Sequence, residues 1–298
     1  MVEKNVVKLF AFRMLRRASQ TAVWRAVRSA TMLALLLILS SATMLAACGE
    51  DENGQTQDSG VVSQIKQRGT LLVGTTGDYR PLSFREADGS YWGFGIEMAE
   101  TIAASLGVKP TFVQTSWPTL TADVLAEPQT FDLAIGGITI TDQRRETMAM
   151  SDGYLANGKT ILCRASEAER FRSLADVNRP EVRVMVNPGG LNEKFARERL
   201  TQADIIVWQK NEEIPLKVAD GDADVMITEI TEAPYYVSHD KRLAAPLLNE
   251  PFTHGQIGVL MRQGQDELLR QVNSVIQRMK DDGSLRLLHE KYGLVYGF

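Results

Sequence analysis

Two short segments in the second half of the sequence carry residues that could bind an anion and donate a proton. Residues 186–196 read VNPGGLNEKFA, which predicts a strand that turns through glycines directly into a helix. Such a turn leaves backbone N–H groups free, and these can bind a carboxylate. Residues 224–233 read DVMITEITEA and place Glu229 and Glu232 three positions apart. We predict that both glutamates open a helix and share one face, so that an acid stands beside an anion site.

The first 47 residues have the composition of an export signal rather than of a folded domain. A region with seven basic side chains and one acidic side chain precedes an apolar run at 32–47, which ends in Leu-Ala-Ala-Cys. This run is shorter than the roughly 20 residues of a spanning helix. Its ending resembles a bacterial lipoprotein signal, which implies that residues 1–47 are removed and that Cys48 anchors the exported protein to a membrane through lipid. The alternatives are a plain signal peptide or an uncleaved anchor, and translation could start at Met14 instead of Met1.

The charge and the cysteines argue against several classes of function. The whole chain has net charge −4, and because the first 47 residues are basic, the rest is more acidic still. A nucleic-acid partner needs a basic face, so none is expected. With Cys48 lipidated, Cys163 has no disulfide partner and is predicted to be a core residue of an apolar strand. The sequence holds no CxxC or HExxH pattern and no glycine-rich nucleotide loop, so we expect neither a metal nor another cofactor.

Strand and helix patterns alternate along the exported part in two sets. Polar residues 48–60 predict a flexible tether, and short apolar runs separated by helices then predict parallel sheets. The expected fold is α/β and two-lobed, each lobe a mostly parallel sheet flanked by helices. We assign 61–156 and 252–298 to lobe 1 and 157–251 to lobe 2. The chain would cross between the lobes twice, near 155–159 and 249–254, and a ligand would bind in the cleft between them.

The predicted elements are short and regularly spaced. Strands are predicted at 70–76, 109–115, 131–137, 160–163, 182–186, 204–208, 224–228 and 256–261. Helices are predicted at 95–107, 119–127, 192–200, 213–219, 266–280 and 283–292.

From about Val61 onward, the sequence resembles the periplasmic solute-binding proteins for polar amino acids, family 3. The similarity lies in DYRPLSF (78–84), GFGIEMAETIA (93–103), FDLAIGGITITDQRR (131–145) and SDGYL (151–155). Within this family the similarity is stronger to the cyclohexadienyl dehydratases, an enzyme branch built on a binding-protein scaffold. It lies in TTGDYRP (75–81), QTSWPTL (114–120), NGKT (157–160), residues 186–196 and TEITEA (228–233). The resemblance implies the type II fold of periplasmic binding proteins.

The enzyme branch implies a reaction that needs no cofactor. Prephenate or arogenate loses its ring hydroxyl and its ring carboxylate together, and the gain of an aromatic ring drives the step. Hydroxide is a poor leaving group, so a general acid must protonate it. Glu232 matches the position of the family's acid, and burial or the neighbouring Glu229 should raise its pKa. Lys159 and Asn192 match the positions that hold the ring-side anion and the leaving group.

The resemblance also assigns residues that hold the rest of the substrate. Arg144 matches the arginine that grips the amino-acid or keto-acid carboxylate, which a guanidinium can bind with two hydrogen bonds. The other matching positions are two aromatic walls, a hydroxyl, an amide and the turn glycine whose backbone can bind an anion: Tyr79, Trp117, Thr139, Asn187 and Gly190.

A second function remains open on the same residues. Many lipid-anchored members of the family deliver amino acids to an ABC permease without catalysing a reaction. Glu229 would then receive the ligand's ammonium group, while Glu232 could be an ordinary solvated residue. Arg144 could pair with Asp142 or Glu146 on the surface, Lys159 could be exposed, and Asn192 could serve only as a helix N-cap. Leu191 departs from the threonine of many relatives, so the hold on the side-chain carboxylate and the preference between prephenate and arogenate stay undetermined.

Overall fold

The computed structural model describes residues 59–296, in which most of the backbone belongs to short strands and helices. Within this range the strands form two five-stranded sheets and two smaller ones. The predicted signal segment 1–47, Cys48 and nearly all of the predicted tether lie outside the described residues. A helix already begins at Ser59, so the predicted tether at 48–60 overlaps the first described element by two residues.

The first sheet contains the strands that lie beside those cavity residues that come from the N-terminal half of the chain. It has the order β5-β1-β6-β15-β7. Its strands are β1 (Thr70–Thr75), β5 (Lys109–Gln114), β6 (Leu133–Ala134), β7 (Met148–Met150) and β15 (Leu260–Arg262). β1 pairs in parallel with β5 and β6, whereas β15 runs antiparallel to β6 and β7.

The second sheet repeats this arrangement with the order β11-β10-β12-β9-β13. Its strands are β9 (Lys159–Arg164), β10 (Arg183–Val186), β11 (Asp204–Val207), β12 (Val225–Glu229) and β13 (Leu243–Ala244). β10 pairs in parallel with β11 and β12, and β9 runs antiparallel to β12 and β13. Each sheet is therefore less parallel than predicted, because β15 and β9 both enter their sheets in the opposite direction directly after a crossing segment.

The two smaller sheets lie at the crossings and beside the first sheet. β8 (Leu155–Asn157) pairs antiparallel with β14 (Gly255–Ile257), so both predicted crossings of the chain run side by side. The other small sheet has the order β2-β3-β4 and consists of β2 (Asp78–Tyr79), β3 (Ser83–Arg85) and β4 (Tyr91–Trp92). The exact bounds of the two lobes stay a prediction.

The helices separate the strands and cover the sheets. The α-helices are Ser59–Arg68, Phe94–Ser105, Leu120–Leu125, Asp142–Thr147, Leu174–Val177, Leu191–Arg199, Ile214–Asp220, Ala233–His239, Asp266–Asp281 and Ser284–Lys291, and the 3-10 helices are Ala165–Arg170 and Asn211–Glu213. No helix among residues 59–296 is both long enough and apolar enough to cross a membrane.

Each sheet has its own apolar core. Leu71 and Val73 of β1 pack with Phe94, Ile102 and the helix Asp266–Asp281. In the second sheet, successive side chains of β9, β10 and β12 alternate between two apolar clusters, one on each face of the sheet. This alternation is expected for a sheet that helices cover on both sides. Cys163 is fully buried in one of these clusters, as predicted, and its thiol is free. Burial raises the pKa of that thiol to about 12, so it stays protonated.

Two predictions about elements are wrong in ways that affect the site. Glu229 is the last residue of β12, and Glu232 immediately precedes the helix Ala233–His239. The two glutamates therefore do not share a helix face, because the chain turns between them. The single strand predicted at 256–261 is two strands, β14 and β15, which belong to different sheets. Gly258 lies at the break, where an added Cβ would stand 2.9 Å from the side chain of Ile140.

Candidate functional site

A small cavity lies where strand ends of both sheets converge. Of the ten residues predicted to bind or transform a substrate, nine line this cavity, and only Glu232 does not. The lining also includes Gly137 and Leu191. The nine predicted residues are Tyr79, Trp117, Thr139, Arg144, Lys159, Asn187, Gly190, Asn192 and Glu229.

The centre of the cavity is a buried carboxylate, Glu229, with several donors around it. The Nζ of Lys159 forms an ion pair with Oε1, and the hydroxyl of Tyr79 donates to Oε2. The hydroxyl of Thr139 contacts Oε1 at 3.5 Å. Burial by itself would raise the pKa of Glu229, but the charge of Lys159 and the hydrogen bonds from Lys159 and Tyr79 lower it below its ordinary value. Glu229 is therefore anionic at neutral pH.

The helix Leu191–Arg199 points its N-terminus at the cavity. Gly190 is the N-cap, so the alternative role of Asn192 as a cap is wrong. Instead, the Oδ1 of Asn192 accepts a hydrogen bond of 2.6 Å from the Nζ of Lys159. The N–H of Gly189 already donates to Oε2 of Glu193 at 2.7 Å, which removes one of the backbone donors expected to hold an anion.

The turn before this helix needs glycine for a geometric reason. Gly189 has φ 72°, and a Cβ there would lie 2.6 Å from the Cα of Pro118. A larger residue would push residues 117–118 away from the turn. The glycine therefore lets lobe 2 approach the segment that carries Trp117.

Arg144 is held at the cavity wall by the loop that precedes it. Its backbone N–H donates to the N-cap hydroxyl of Thr141 at 3.2 Å, and its Nη1 donates to the carbonyl of Thr139 at 2.5 Å. Among the ion pairs of residues 59–296, none involves Arg144, so surface pairing with Asp142 or Glu146 is excluded as its role. Burial lowers the pKa of the guanidinium, and the charge of Glu229 partly opposes that shift. A cationic side chain with free donors thus faces the cavity.

Two aromatic rings form one wall. Tyr79 and Trp117 meet edge to face with centroids 5.8 Å apart. The ring of Tyr79 can approach because residue 137 is glycine, where a Cβ would lie 2.6 Å from Cδ1 of the tyrosine. The indole N–H of Trp117 donates to Oδ1 of Asp78 at 3.1 Å, which fixes the orientation of that ring.

Glu232 lies outside the lining and is fully buried. Its Oε2 accepts a hydrogen bond of 2.5 Å from Thr228, and its Oε1 accepts one of 3.1 Å from Asn211. Burial is the main cause that raises its pKa, to about 8; the charges of Glu229 and Asp78 add to this, while the two hydrogen bonds oppose it. Glu232 is therefore largely protonated at neutral pH, unlike Glu229 three residues earlier. The two carboxyls at this strand end hold opposite protonation states.

Sequence reasoning did not find several residues that shape the site. Gly137 and Asp78 lie in segments that carried the family resemblance, but nothing marked them individually. Asn211 and Thr228 contact Glu232, and the only sequence signal for Asn211 was its place before a predicted helix. No group of three or more His, Cys, Asp or Glu residues that could hold a metal occurs between residues 59 and 296.

The two-lobed fold and the cavity between the two sheets define a periplasmic binding protein of type II. The chain belongs to the bacterial extracellular solute-binding proteins, family 3, whose sequence pattern matches residues 71–295. It is therefore an exported protein, and the family resemblance found in the sequence is confirmed.

The chain is similar both to an enzyme and to binding proteins. The chain is 38% identical to the cyclohexadienyl dehydratase of Pseudomonas aeruginosa over 232 residues, which cover 78% of this chain and 85% of the relative. It is 30% identical to the L-cystine-binding protein TcyJ of Escherichia coli over 238 residues, with 79% and 86% covered. A solved structure of the ancestral amino acid-binding protein AncCDT-1, a precursor of cyclohexadienyl dehydratase, matches with TM-score 0.71 and 38% identity, over 78% of this chain and 98% of that one.

Proposed function

We propose that this protein is a cyclohexadienyl dehydratase that converts prephenate to phenylpyruvate, arogenate to phenylalanine, or both. The observation that carries the proposal is Glu232, a fully buried carboxyl with a pKa of about 8 at the end of the strand whose last residue is Glu229. A binding site needs no protonated acid at that position, whereas loss of a hydroxyl does. The similarity to the dehydratase of Pseudomonas aeruginosa supports the same activity.

The proposed reaction balances with one proton from Glu232. The bond between the ring and its carboxylate breaks, CO₂ leaves, and the electron pair of that bond enters the ring. The bond to the ring hydroxyl breaks with its electron pair, and the departing oxygen takes the proton of Glu232 and leaves as water. The ring becomes aromatic, Glu232 is left as a carboxylate, and it regains a proton from solvent.

The cavity residues divide the substrate between them. Arg144 binds the side-chain carboxylate through its free guanidinium donors. Lys159 and Asn192 hold the ring-side carboxylate and the leaving hydroxyl. The walls and remaining polar contacts come from Tyr79, Trp117, Thr139, Asn187, Gly190 and Glu229.

Substrate entry must rearrange two contacts described above. Lys159 is paired with Glu229 and Asn192, and it has to turn part of its charge toward the incoming carboxylate. Glu232 also has to reach the leaving oxygen from outside the cavity lining. Opening and closing of the lobes around the crossings β8 and β14 supplies that movement.

The Glu232→Gln variant tests the proposed acid. Glutamine keeps the size of glutamate and can accept the hydrogen bond from Asn211, but it cannot protonate a leaving group. General acid catalysis contributes about 10²–10⁴-fold, so turnover of prephenate should fall by at least that range while binding persists. Wild-type turnover should decline as pH rises through about 8, where Glu232 loses its proton. The matched control is Glu250→Gln, an exposed glutamate of lobe 2, which should turn over prephenate at the wild-type rate.

A second function has its own supporting observation. Arg144 and the anionic Glu229 line the same cavity, and such a pair suits the carboxylate and the ammonium group of an amino acid. On this reading the protein binds an amino acid and delivers it to an ABC permease, as the similarity to a cystine-binding protein suggests. Calorimetric binding of an amino acid by a wild type that never consumes prephenate would support the carrier and refute the enzyme.

The position in the cell is part of the same proposal. Residues 1–47 act as a lipoprotein signal, and Cys48 carries the lipid that anchors the protein to a membrane. We also assign 61–156 with 252–298 to lobe 1 and 157–251 to lobe 2, with residues 48–60 as the tether to the membrane.

A further inference from the structure

One buried amide connects the acid of lobe 2 to the backbone of lobe 1. Asn211 begins the 3-10 helix Asn211–Glu213 and is 1% exposed. Its Nδ2 donates to the carbonyl oxygen of Asp78 at 3.0 Å and to Oε1 of Glu232 at 3.1 Å. Asn211 and Glu232 follow strands of the second sheet, whereas Asp78 begins β2 beside the first sheet. A single NH₂ group therefore bridges the cleft and holds one oxygen of the acid.

The orientation of this amide follows from its partners. Both partners are oxygen acceptors, so the nitrogen must face them, and its two hydrogens serve one acceptor each. The Oδ1 of Asn211 is buried and has no hydrogen-bond partner. Leaving this oxygen unpaired is unfavourable. The amide nevertheless keeps this orientation, because it allows the NH₂ group to donate both of its hydrogen bonds.

The same approach of the lobes brings lobe 1 charges near the acid. Glu232 faces Asp78 and Tyr79 from lobe 1, Glu229 from its own strand end and Tyr236 from its own helix. Asp78 is itself mostly buried, and its carboxyl accepts from Trp117, a residue of the cavity wall. The charges of Glu229 and Asp78 disfavour the ionised form of Glu232, while Asn211 holds one of its oxygens and Thr228 holds the other.

We propose that Asn211 is a positioning residue, which fixes the Glu232 carboxyl in its working orientation when the two lobes close over a substrate. The proposal rests on the proposed dehydratase function. Asn211 lies outside the lining of the cavity, so it acts on the reaction through the groups that it holds, of which Glu232 is the acid.

Kinetics of the full chain with prephenate, purified in mild detergent, give the first test. In Asn211→Ala, kcat should fall about 3- to 10-fold, the range expected for one lost hydrogen bond, while KM stays within twofold. The bond from Asn211 lowers the pKa of Glu232, so its loss should move the alkaline limb of the kcat–pH profile to higher pH. Asn211→Ser keeps one donor and should give an intermediate kcat, which also covers the case in which Asn211→Ala does not fold.

Two comparison variants separate positioning from other effects. Asn178→Ala removes a hydrogen bond elsewhere in lobe 2, which the N–H of Gln202 donates to the side chain of Asn178. This variant should leave kcat and the pH profile unchanged. Gln143→Ala removes a bridge of 2.9 Å from Lys194 of the opposite lobe without touching the acid. If Asn211 only helps the lobes close, both Asn211→Ala and Gln143→Ala should raise KM and leave the alkaline limb in place, and that result overturns the proposal.

Infrared difference spectroscopy tests the contact without any turnover. The band of a protonated carboxyl that disappears in Glu232→Gln belongs to Glu232. In Asn211→Ala this band should shift to higher frequency and persist to higher pH, because the donated hydrogen bond is gone. A band that is unchanged overturns the proposal even in an active enzyme. A shifted band in a protein that never consumes prephenate refutes the proposed function and leaves the positioning contact established.

Discussion

Lys159 and Glu229 are register partners on neighbouring antiparallel strands, the first residue of β9 opposite the last residue of β12. Opposed residues of paired strands point to the same face, so the register brings ammonium and carboxylate together. Their side chains are only 8% and 6% exposed, and both lie at the strand ends that open into the cavity. The charged centre of the site is therefore set by the sheet itself, with Tyr79 of β2 as an additional donor.

The Lys159–Glu229 pair should be strongly coupled in stability. Lys159→Met or Glu229→Gln alone leaves the partner's charge buried, which typically costs about 3–5 kcal/mol, whereas the double variant loses both charges together. We expect the double variant to unfold in urea with a smaller loss than the sum of the two single losses. The exposed pair of Arg172 and Glu169 is the control and should show no measurable coupling. Additive losses at Lys159 and Glu229 would mean that the two charges are not energetically coupled.

Arg144 should govern affinity for any carboxylate ligand. Its guanidinium lies at the cavity and forms no ion pair in residues 59–296, so a bound carboxylate would be its charged partner. Arg144→Ala should weaken binding by about 2–5 kcal/mol in calorimetry, the cost of removing one partner of a buried charge pair. The next residue provides a matched control, because Arg145 is exposed and its substitution by alanine should leave affinity unchanged. Equal affinities for the two variants would place the carboxylate elsewhere.

Much of the fold was predictable because its signals are local. The runs at β1, β10 and β12 are mostly apolar and bounded by polar or glycine residues, and the structure has a strand at each. The strand break at Gly258 was not predictable, since β14 and β15 pair with different strands, β8 and β6, which lie far away in the sequence. The antiparallel halves of both sheets were missed for the same reason: strand direction depends on where the chain re-enters each lobe.

The site was predicted in part, and its limits have a physical cause. The cavity residues belong to segments that could be matched to the family one by one, and nine of them meet in the structure. The environment of Glu232 could not be predicted, because it is built from Thr228, Asn211 and Asp78, which lie up to 154 positions from Glu232 along the chain. Burial of a particular carboxyl is a property of the closed cleft, and no local pattern reports it.

Cys48 should be required for attachment to the membrane. The Leu-Ala-Ala-Cys ending after an apolar run predicts that this cysteine is lipidated and becomes the mature N-terminus. The wild type should partition into the detergent phase of a Triton X-114 extraction and incorporate labelled palmitate. Cys48→Ser should do neither, while Cys163→Ser, a change at the buried core thiol, should still be labelled. A Cys48→Ser protein that is processed and remains membrane-bound would contradict the anchor.

The buried acid should also make stability depend on pH in a recognisable way. The ordinary pKa of glutamate is 4.5, and that of folded Glu232 is about 8. Between these values the folded protein binds a proton that the unfolded chain has released, so the free energy of unfolding falls as pH rises through the window. The contribution of Glu232 is fully present below pH 4.5 and is lost as pH passes about 8.

Glu232→Gln removes this dependence and keeps a neutral side chain of the same size. At pH 5 the wild type and the variant should therefore have similar melting temperatures. The variant should become progressively more stable than the wild type up to about pH 8, with the difference constant beyond it; for a domain of this size each 1 kcal/mol corresponds to about 2–4 °C in Tm. Glu250→Gln, at an exposed site, should show no such trend. Differential scanning calorimetry at several pH values measures the gap, and a gap that stays flat or closes with rising pH would show that Glu232 ionises normally in the folded protein and cannot serve as the acid at neutral pH.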